Sequence, residues 1–239
     1  MSSHRSHPLP ARRLLYVDDF LCAVDKPSGL LSQEAPGRAP RRTILVQTAA
    51  LLASRGERAE LHAVHRLDED TSGVLVFARD RDILARLKKT FRRHDVERVY
   101  HAIVLGAPDP PEGRLESLLR DGGERVEIVT RGGQPAITDY VTLATFAGRS
   151  VVACRLDTGR RNQIRVQLAD IGHPVQGDRR YGRNHPGFSR FKARRTMLHA
   201  TALGLRHPKH GKALRFIAPF PDDFSAQLPE GLAERLSAG

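Results

Sequence analysis

Cysteine is scarce in this chain, and no long apolar run occurs. Cys22 and Cys154 are the only thiols, each inside a strand-like apolar run (FLCAVD, VVACRLD). Two cysteines exclude a disulfide scaffold, a zinc ribbon and an iron–sulfur site by count, and they fit buried, reduced thiols of a cytosolic protein. The longest apolar stretch, Thr43 to Ala53, is broken by Gln47 and Thr48. It falls well short of the roughly 20 residues of a membrane span, so no membrane association is expected. The opening MSSHRSHPLPARR has no apolar centre of a secretory signal. No GxGxxG follows a strand, and neither GxxxxGK(S/T) nor GxSxG is present. His207-Pro208-Lys209-His210 offers two imidazoles, but the proline and the nearby lysines suit a solvated turn better than a metal site. No metal is therefore expected.

What is present is charge. The 239 residues carry 39 Lys+Arg against 27 Asp+Glu, a net +12. The excess is concentrated: between Gly159 and Phe216 there are 14 basic residues and two acids, Asp170 and Asp178, and the remainder balances out. Most of the bases are arginine, the side chain that forks onto phosphate. A concentrated basic field points to a polyanion, most simply a nucleic acid. A merely solvated basic face is the alternative.

Apolar periodicity predicts strands at Leu14–Val17 and Phe20–Lys26, then a turn at Lys26-Pro27-Ser28-Gly29. Thr43 caps a helix that runs to Ser54 and ends at Gly56. A strand at Val74–Ala78 and a helix at Arg81–Arg93 follow, then a strand at Arg98–Leu105 and a loop marked by Pro108, Pro110 and Pro111. Val126–Thr130, Ile137–Phe146 and Ser150–Leu156 read as strands, Arg160–Ile171 as a helix, and Met197–Leu205 and Leu214–Ile217 as the last strands. Clustered strands with few helices make the fold α+β, with a mixed, mainly antiparallel central sheet and flanking helices. No linker divides the chain, so one domain over 14–224 is expected, between a flexible basic tail at 1–13 and a C-terminal tail at 225–239.

Three segments carry chemistry. In His65-Arg66-Leu67-Asp68-Glu69-Asp70-Thr71-Ser72-Gly73, three acids and an arginine precede a strand, and Gly73 permits a positive φ that turns the chain sharply. Taken alone, Asp68 equally fits an Asx-type turn whose carboxylate accepts N–H groups near Thr71. In Asp157–Leu168, Arg161 and Arg165 are four apart and would share a helix face. Gly159 would admit a phosphate or base to the helix N-terminus, although an ordinary amphipathic helix fits as well. Gly172–Gly182 is turn-rich, with Tyr181 among arginines, and suits a nucleic-acid loop or a plain connection.

Together the blocks DKPSGLL (25–31), HRLDEDTSG (65–73), ERVYHAIVLG (97–106), GRRNQIRVQLADIGHPVQGDRRYG (159–182) and LHA (198–200) resemble, in order, the RluA-type family of RNA pseudouridine synthases. The resemblance is to the form without an N-terminal S4-like RNA-binding domain. It implies the pseudouridine synthase fold and isomerisation of uridine in rRNA or tRNA, without a cofactor, by a cytoplasmic monomer. It implies Asp68 as catalytic carboxylate, Tyr100 as active-site tyrosine and Arg165 as the basic partner of the aspartate. Arg66, Arg160, Arg161, Asn162, Gln163, Arg179 and Arg180 become RNA-contacting candidates. Asn162 and Gln167 stand where many members carry histidine. Tyr100 read without the resemblance is equally a core aromatic of a strand. An RNA-binding or folding-assistance protein that keeps the fold without catalysis is the competing function, and the intact trio of Asp68, Tyr100 and Arg165 argues for the enzyme. A binding protein has no need of a carboxylate where phosphate must sit.

Overall fold

The structure is a computed structural model and describes residues 8–34 and 43–238. In chain order the elements are β1 (Leu14–Val17), β2 (Leu21–Lys26), α1 (Ile44–Ser54), β3 (His62–Ala63), β4 (Ser72–Ala78), α2 (Arg81–Arg92), β5 (Glu97–Leu105) and β6 (Glu112–Asp121). They continue with β7 (Val126–Val129), β8 (Gln134–Phe146), β9 (Arg149–Leu156), α3 (Gln163–Asp170), β10 (Leu198–Arg206), β11 (Ala213–Ile217), α4 (Asp222–Ser225) and α5 (Leu232–Ala238). The chain divides into two compact units, residues 1–96 with 202–219 and residues 97–201 with 220–239. No change of composition marks these seams, and that is why the sequence reads as one domain.

In the first unit, β2 pairs antiparallel with both β1 and β4, and β3 adds to β4. Residues 202–206 form an antiparallel hairpin with β11. Every residue of β2 and β4 is buried, and their runs of Val, Leu, Ala and Phe suit strands covered on both faces. Leu21, Val74, Val76, Ile83, Leu87 and Phe216 belong to one core. Each such side chain contributes about 1.5–3 kcal/mol on full burial. Both helices begin as their sequences dictate: Thr43 Oγ1 accepts from Val46 N–H, and an Asp80 carboxylate oxygen accepts from Ile83 N–H at 2.7 Å.

In the second unit, β5 pairs with β9, β9 with β8, β8 with β6 and β6 with β7, all antiparallel. Two clusters fill it. The larger joins Ile103, Val151, Val152, Ile164, Leu168 and Phe224; the smaller joins Leu119, Val126, Ala136 and Val166. α3 touches both and is buried along most of its length, from Gln163 to Leu168.

The fold class is the expected α+β with mainly antiparallel pairing. Several details differ from the sequence reading. β6 occupies a segment without a strand signal. α3 starts at Gln163 rather than Arg160, because Asn162 adopts a left-handed φ of 53° that cannot continue a helix. Part of the expected N-terminal tail is packed: Leu9 is buried, its N–H donates to Gln47, and Arg13 pairs with Asp25 at 2.6 Å. Residues 1–7 of that tail lie outside the described residues. The C-terminal segment holds α5, whose Leu232 is buried in the core of the second unit; Gly239 lies outside the described residues.

Candidate active site

Asp68 stands in the first unit on the turn that leads into β4. Several contacts fix this turn through its main chain. Thr71 N–H donates to the Asp68 carbonyl at 3.1 Å, closing the turn, and Gly29 N–H donates to the Glu69 carbonyl at 2.9 Å. Ser32 Oγ donates to the Leu67 carbonyl and accepts from Leu67 N–H, both at 2.9 Å. Lys26, at the end of β2, is 0% exposed. Its ammonium donates to the carbonyls of Pro27, Leu30 and Glu69 at 3.0, 2.7 and 3.0 Å. A buried ammonium costs several kcal/mol unless its donors are satisfied, and these carbonyls satisfy it. Gly73, opposite Lys26 in the β2–β4 register, has a φ of 116°, a conformation that side-chain-bearing residues rarely adopt.

The Asp68 side chain is half-buried, while Arg66, Glu69 and Asp70 are exposed. His65 stacks on Phe91 at 4.8 Å and accepts from Val76 N–H at 3.1 Å through Nε2, anchoring the other end of the turn. The acid therefore projects from a loop that is pinned on both sides.

In the second unit, Tyr100 lies mid-way along β5, paired with Cys154, half-buried against the larger core. Two residues earlier on the same face, Arg98 is buried and donates to the carbonyls of Leu156 and Asp157 at 3.2 and 2.8 Å. A Cβ at Gly159 would lie 2.5 Å from Arg98 Nη1. The close approach expected at Gly159 is thus made by a protein guanidinium rather than a ligand.

Arg165 is 8% exposed on α3. Its Nε and Nη2 donate to the two carboxylate oxygens of Asp178 at 2.6 and 2.9 Å, and Nη1 donates to Asn162 Oδ1 at 3.2 Å. Asp178 is fully buried and also accepts the N–H groups of Arg180 and Tyr181 at 2.9 and 3.2 Å. The fork is a bidentate, charge-assisted pair with its remaining acceptor capacity filled, the condition under which a buried ion pair holds its geometry. The Arg165 guanidinium also lies 5.4 Å from the centre of the Tyr181 ring, and the Tyr181 hydroxyl accepts from Asn162 Nδ2 at 3.0 Å and from Val126 N–H at 3.1 Å.

The other expected contacts separate into two groups. Arg161 does not share a face with Arg165, because the helix has not begun. It instead ties the β6–β7 turn through the Asp121 carboxylate and the carbonyls of Gly123 and Glu124. Gln163 is 2% exposed, and its amide is fully used: Oε1 accepts from Thr158 Oγ1 and Arg160 N–H, while Nε2 donates to the Ile137 carbonyl and Thr138 Oγ1. Gln167 accepts from Thr138 Oγ1 and donates to Leu115, Ser117 and Ala136. Asn162 is buried between Arg165 and Tyr181. The amides of Gln163 and Gln167 position α3 and spend their donors inside the protein. Arg160 bonds the Pro135 carbonyl through Nε, while Arg179 and Arg180 are exposed.

Sequence reading missed the supports Lys26, Ser32 and Asp178. Asp178 carried a signal, since an acid directly before two arginines in so basic a stretch needs a reason. Lys26 carried one too, as a lysine that closes a mostly apolar strand just before a proline.

Residues 21–170 match the family model described as RNA pseudouridylate synthase. Ribosomal large subunit pseudouridine synthase D of Nitrosomonas europaea is 38% identical over 234 residues, 95% of this chain and 67% of that protein. The dual-specificity RNA pseudouridine synthase RluA of Escherichia coli is 36% identical over 210 residues, 86% of this chain and 92% of that protein. The solved structure of human RNA pseudouridylate synthase domain containing 4 aligns with a TM-score of 0.74 at 26% identity, covering 90% of this chain and 91% of that one. With the family model spanning the pinned acidic turn, β5 and the helix of Arg165, the chain belongs to the RNA pseudouridine synthases.

Proposed function

We propose that this RNA pseudouridine synthase acts on a loop uridine of ribosomal or transfer RNA, with Asp68 as the catalytic carboxylate. The observation that carries the reading is the turn itself: a half-buried acid on a main chain fixed by Lys26, Ser32 and Thr71. Fixing the backbone aims a reactive side chain at little entropic cost during reaction. In the reaction the bond from N1 of uracil to C1′ breaks, and C5 bonds to C1′ in its place. The C5 proton is lost and N1 gains one, so the change is isomeric and no electrons are exchanged. Asp68 acts on the ribose as nucleophile or as base in a glycal route. Tyr100 stacks on the detached base and takes part in removal of the C5 proton. Arg165 takes the part of basic partner that the resemblance implies. These two roles rest on the resemblance and on the way each side chain is held.

The target nucleotide must leave its stack, at a cost of a few kcal/mol. Arg66, Arg160, Arg179 and Arg180 offset it through phosphate contacts, and loop uridines are favoured because they are already partly unstacked. A ribosomal target is supported by the name of a relative, and the cytoplasm and a monomeric state by the resemblance. The test is Asp68→Asn. It should retain RNA binding and lose release of tritium from RNA labelled at C5 of uridine. Continued release would remove Asp68 from the chemistry, and wild-type binding without release would favour a folding-assistance protein.

A further inference from the structure

Beside Tyr181 the second unit contains a pocket of about 340 Å³ walled by Arg125, Arg179, Arg180, Tyr181, Arg183 and Asn184. Four guanidinium groups line it and no carboxylate does. Arg125 arrives from just before β7, outside the basic stretch that supplies the other three. Four other arginines of this unit are neutralised in place: Arg114 by Asp139, Arg161 by Asp121, Arg165 by Asp178 and Arg195 by Asp223. Among the described residues, none of the four pocket arginines forms an ion pair with an acid. Like charges gathered round one cavity repel each other, and only an anion relieves that.

The wall also says which part of a nucleic acid enters. The one aromatic ring, Tyr181, already carries two guanidinium groups, Arg125 at 5.0 Å and Arg165 at 5.4 Å. Its hydroxyl is taken by Asn162 and Val126. The pocket therefore offers charge in place of a stacking platform. Its volume equals roughly ten waters at about 30 Å³ each, room for a phosphate with its sugar.

We propose that this pocket is a subsite for an internal backbone phosphate of the RNA, with Arg125 and Arg183 as contacts. It rests on the reading that the chain acts on RNA. Tyr181 touches Arg165 and lines the pocket, so a strand gripped here is held at a fixed distance from the catalytic arginine, and the register of the target nucleotide is set by its phosphate.

The probe is a fluorescent 15-mer oligouridylate with a 5′-hydroxyl end, titrated at several KCl concentrations. Arg125→Gln with Arg183→Gln should flatten the slope of log affinity against log salt by about 0.7 for each phosphate released. Lys88→Gln with Arg92→Gln, an equal charge change on the exposed face of α2, should leave the slope at the wild-type value. Equal flattening by both pairs, or by neither, overturns the subsite. A difference seen only with a 5′-phosphorylated oligomer assigns the pocket to a chain end and overturns the backbone proposal. Tritium release by the wild-type protein on cellular RNA is read separately: its absence counts against the enzymatic reading and leaves the salt-slope result standing.

Discussion

The turn of Asp68 and the helix of Arg165 are immobilised by different means. In the first unit a lysine and a serine tens of residues away reach main-chain atoms of Glu69 and Leu67, and Thr71 N–H closes the turn on the Asp68 carbonyl. In the second, the Arg165 side chain itself is gripped, by Asp178 on one edge and Asn162 on the other. The chemistry of the two groups explains the contrast. A carboxylate on a short side chain has few rotatable bonds, so a fixed main chain already restricts where it can point. A guanidinium ends a long, flexible side chain and has five N–H donors, so its direction is set by bonds to the head group itself.

The comparison breaks most readily at Asp178. Asp178→Ala would strand a buried Arg165, and loss of one partner of such a pair costs about 3–5 kcal/mol. Urea unfolding should show that loss, and Asp178→Asn, which keeps the shape, should lose less stability while lowering kcat. An unchanged midpoint for Asp178→Ala would mean that the fork does not hold α3. Lys26→Met comes next, because it leaves three carbonyls without their donor. A stability loss of about 2–4 kcal/mol and a fall in kcat of roughly 100-fold from misplaced Asp68 are expected, with KM little changed. Retention of kcat at full folding would show that backbone anchoring is dispensable.

The smallest effect distinguishes the units by acid. Burial pushes His101 in the second unit down to about 4. Between pH 6.5 and 4 the unfolded chain binds a proton that the folded one does not, so stability falls as pH falls through that window, by about 3 kcal/mol at most. In the first unit burial raises Asp25, so mild acid favours its folded form. Hydrogen exchange followed from pH 7 to pH 4.5 should show protection lost first around β5. His101→Asn should remove most of that pH dependence.

The comparison also shows what a sequence makes legible. β4 and β5 were readable because Val, Leu, Ile and Phe cluster without breaks. β6, with Glu112, Gly113, Arg114, Glu116 and Ser117, carries no such signal; it is a strand because β8 pairs with it from Glu112↔Val141 to Leu119↔Gln134. The start of α3 was misplaced by three residues, since left-handed Asn162 looks like any polar N-terminal residue. Asp68, Tyr100 and Arg165 stood out through spaced motifs. Their supports did not, because Ser32 meets Leu67 and Asp178 meets Arg165 only after folding. The amides of Gln163 and Gln167 resemble RNA ligands in sequence and become internal fasteners in the structure.

Those fasteners have one more consequence. Neutral amide bonds neither titrate nor weaken by ionic screening, whereas phosphate contacts dissolve steeply as salt rises. A rise in ionic strength would therefore shed the bound polymer while the seat of α3 stayed intact. The protein can let go of one RNA and meet the next without rebuilding the seat of Arg165 in between.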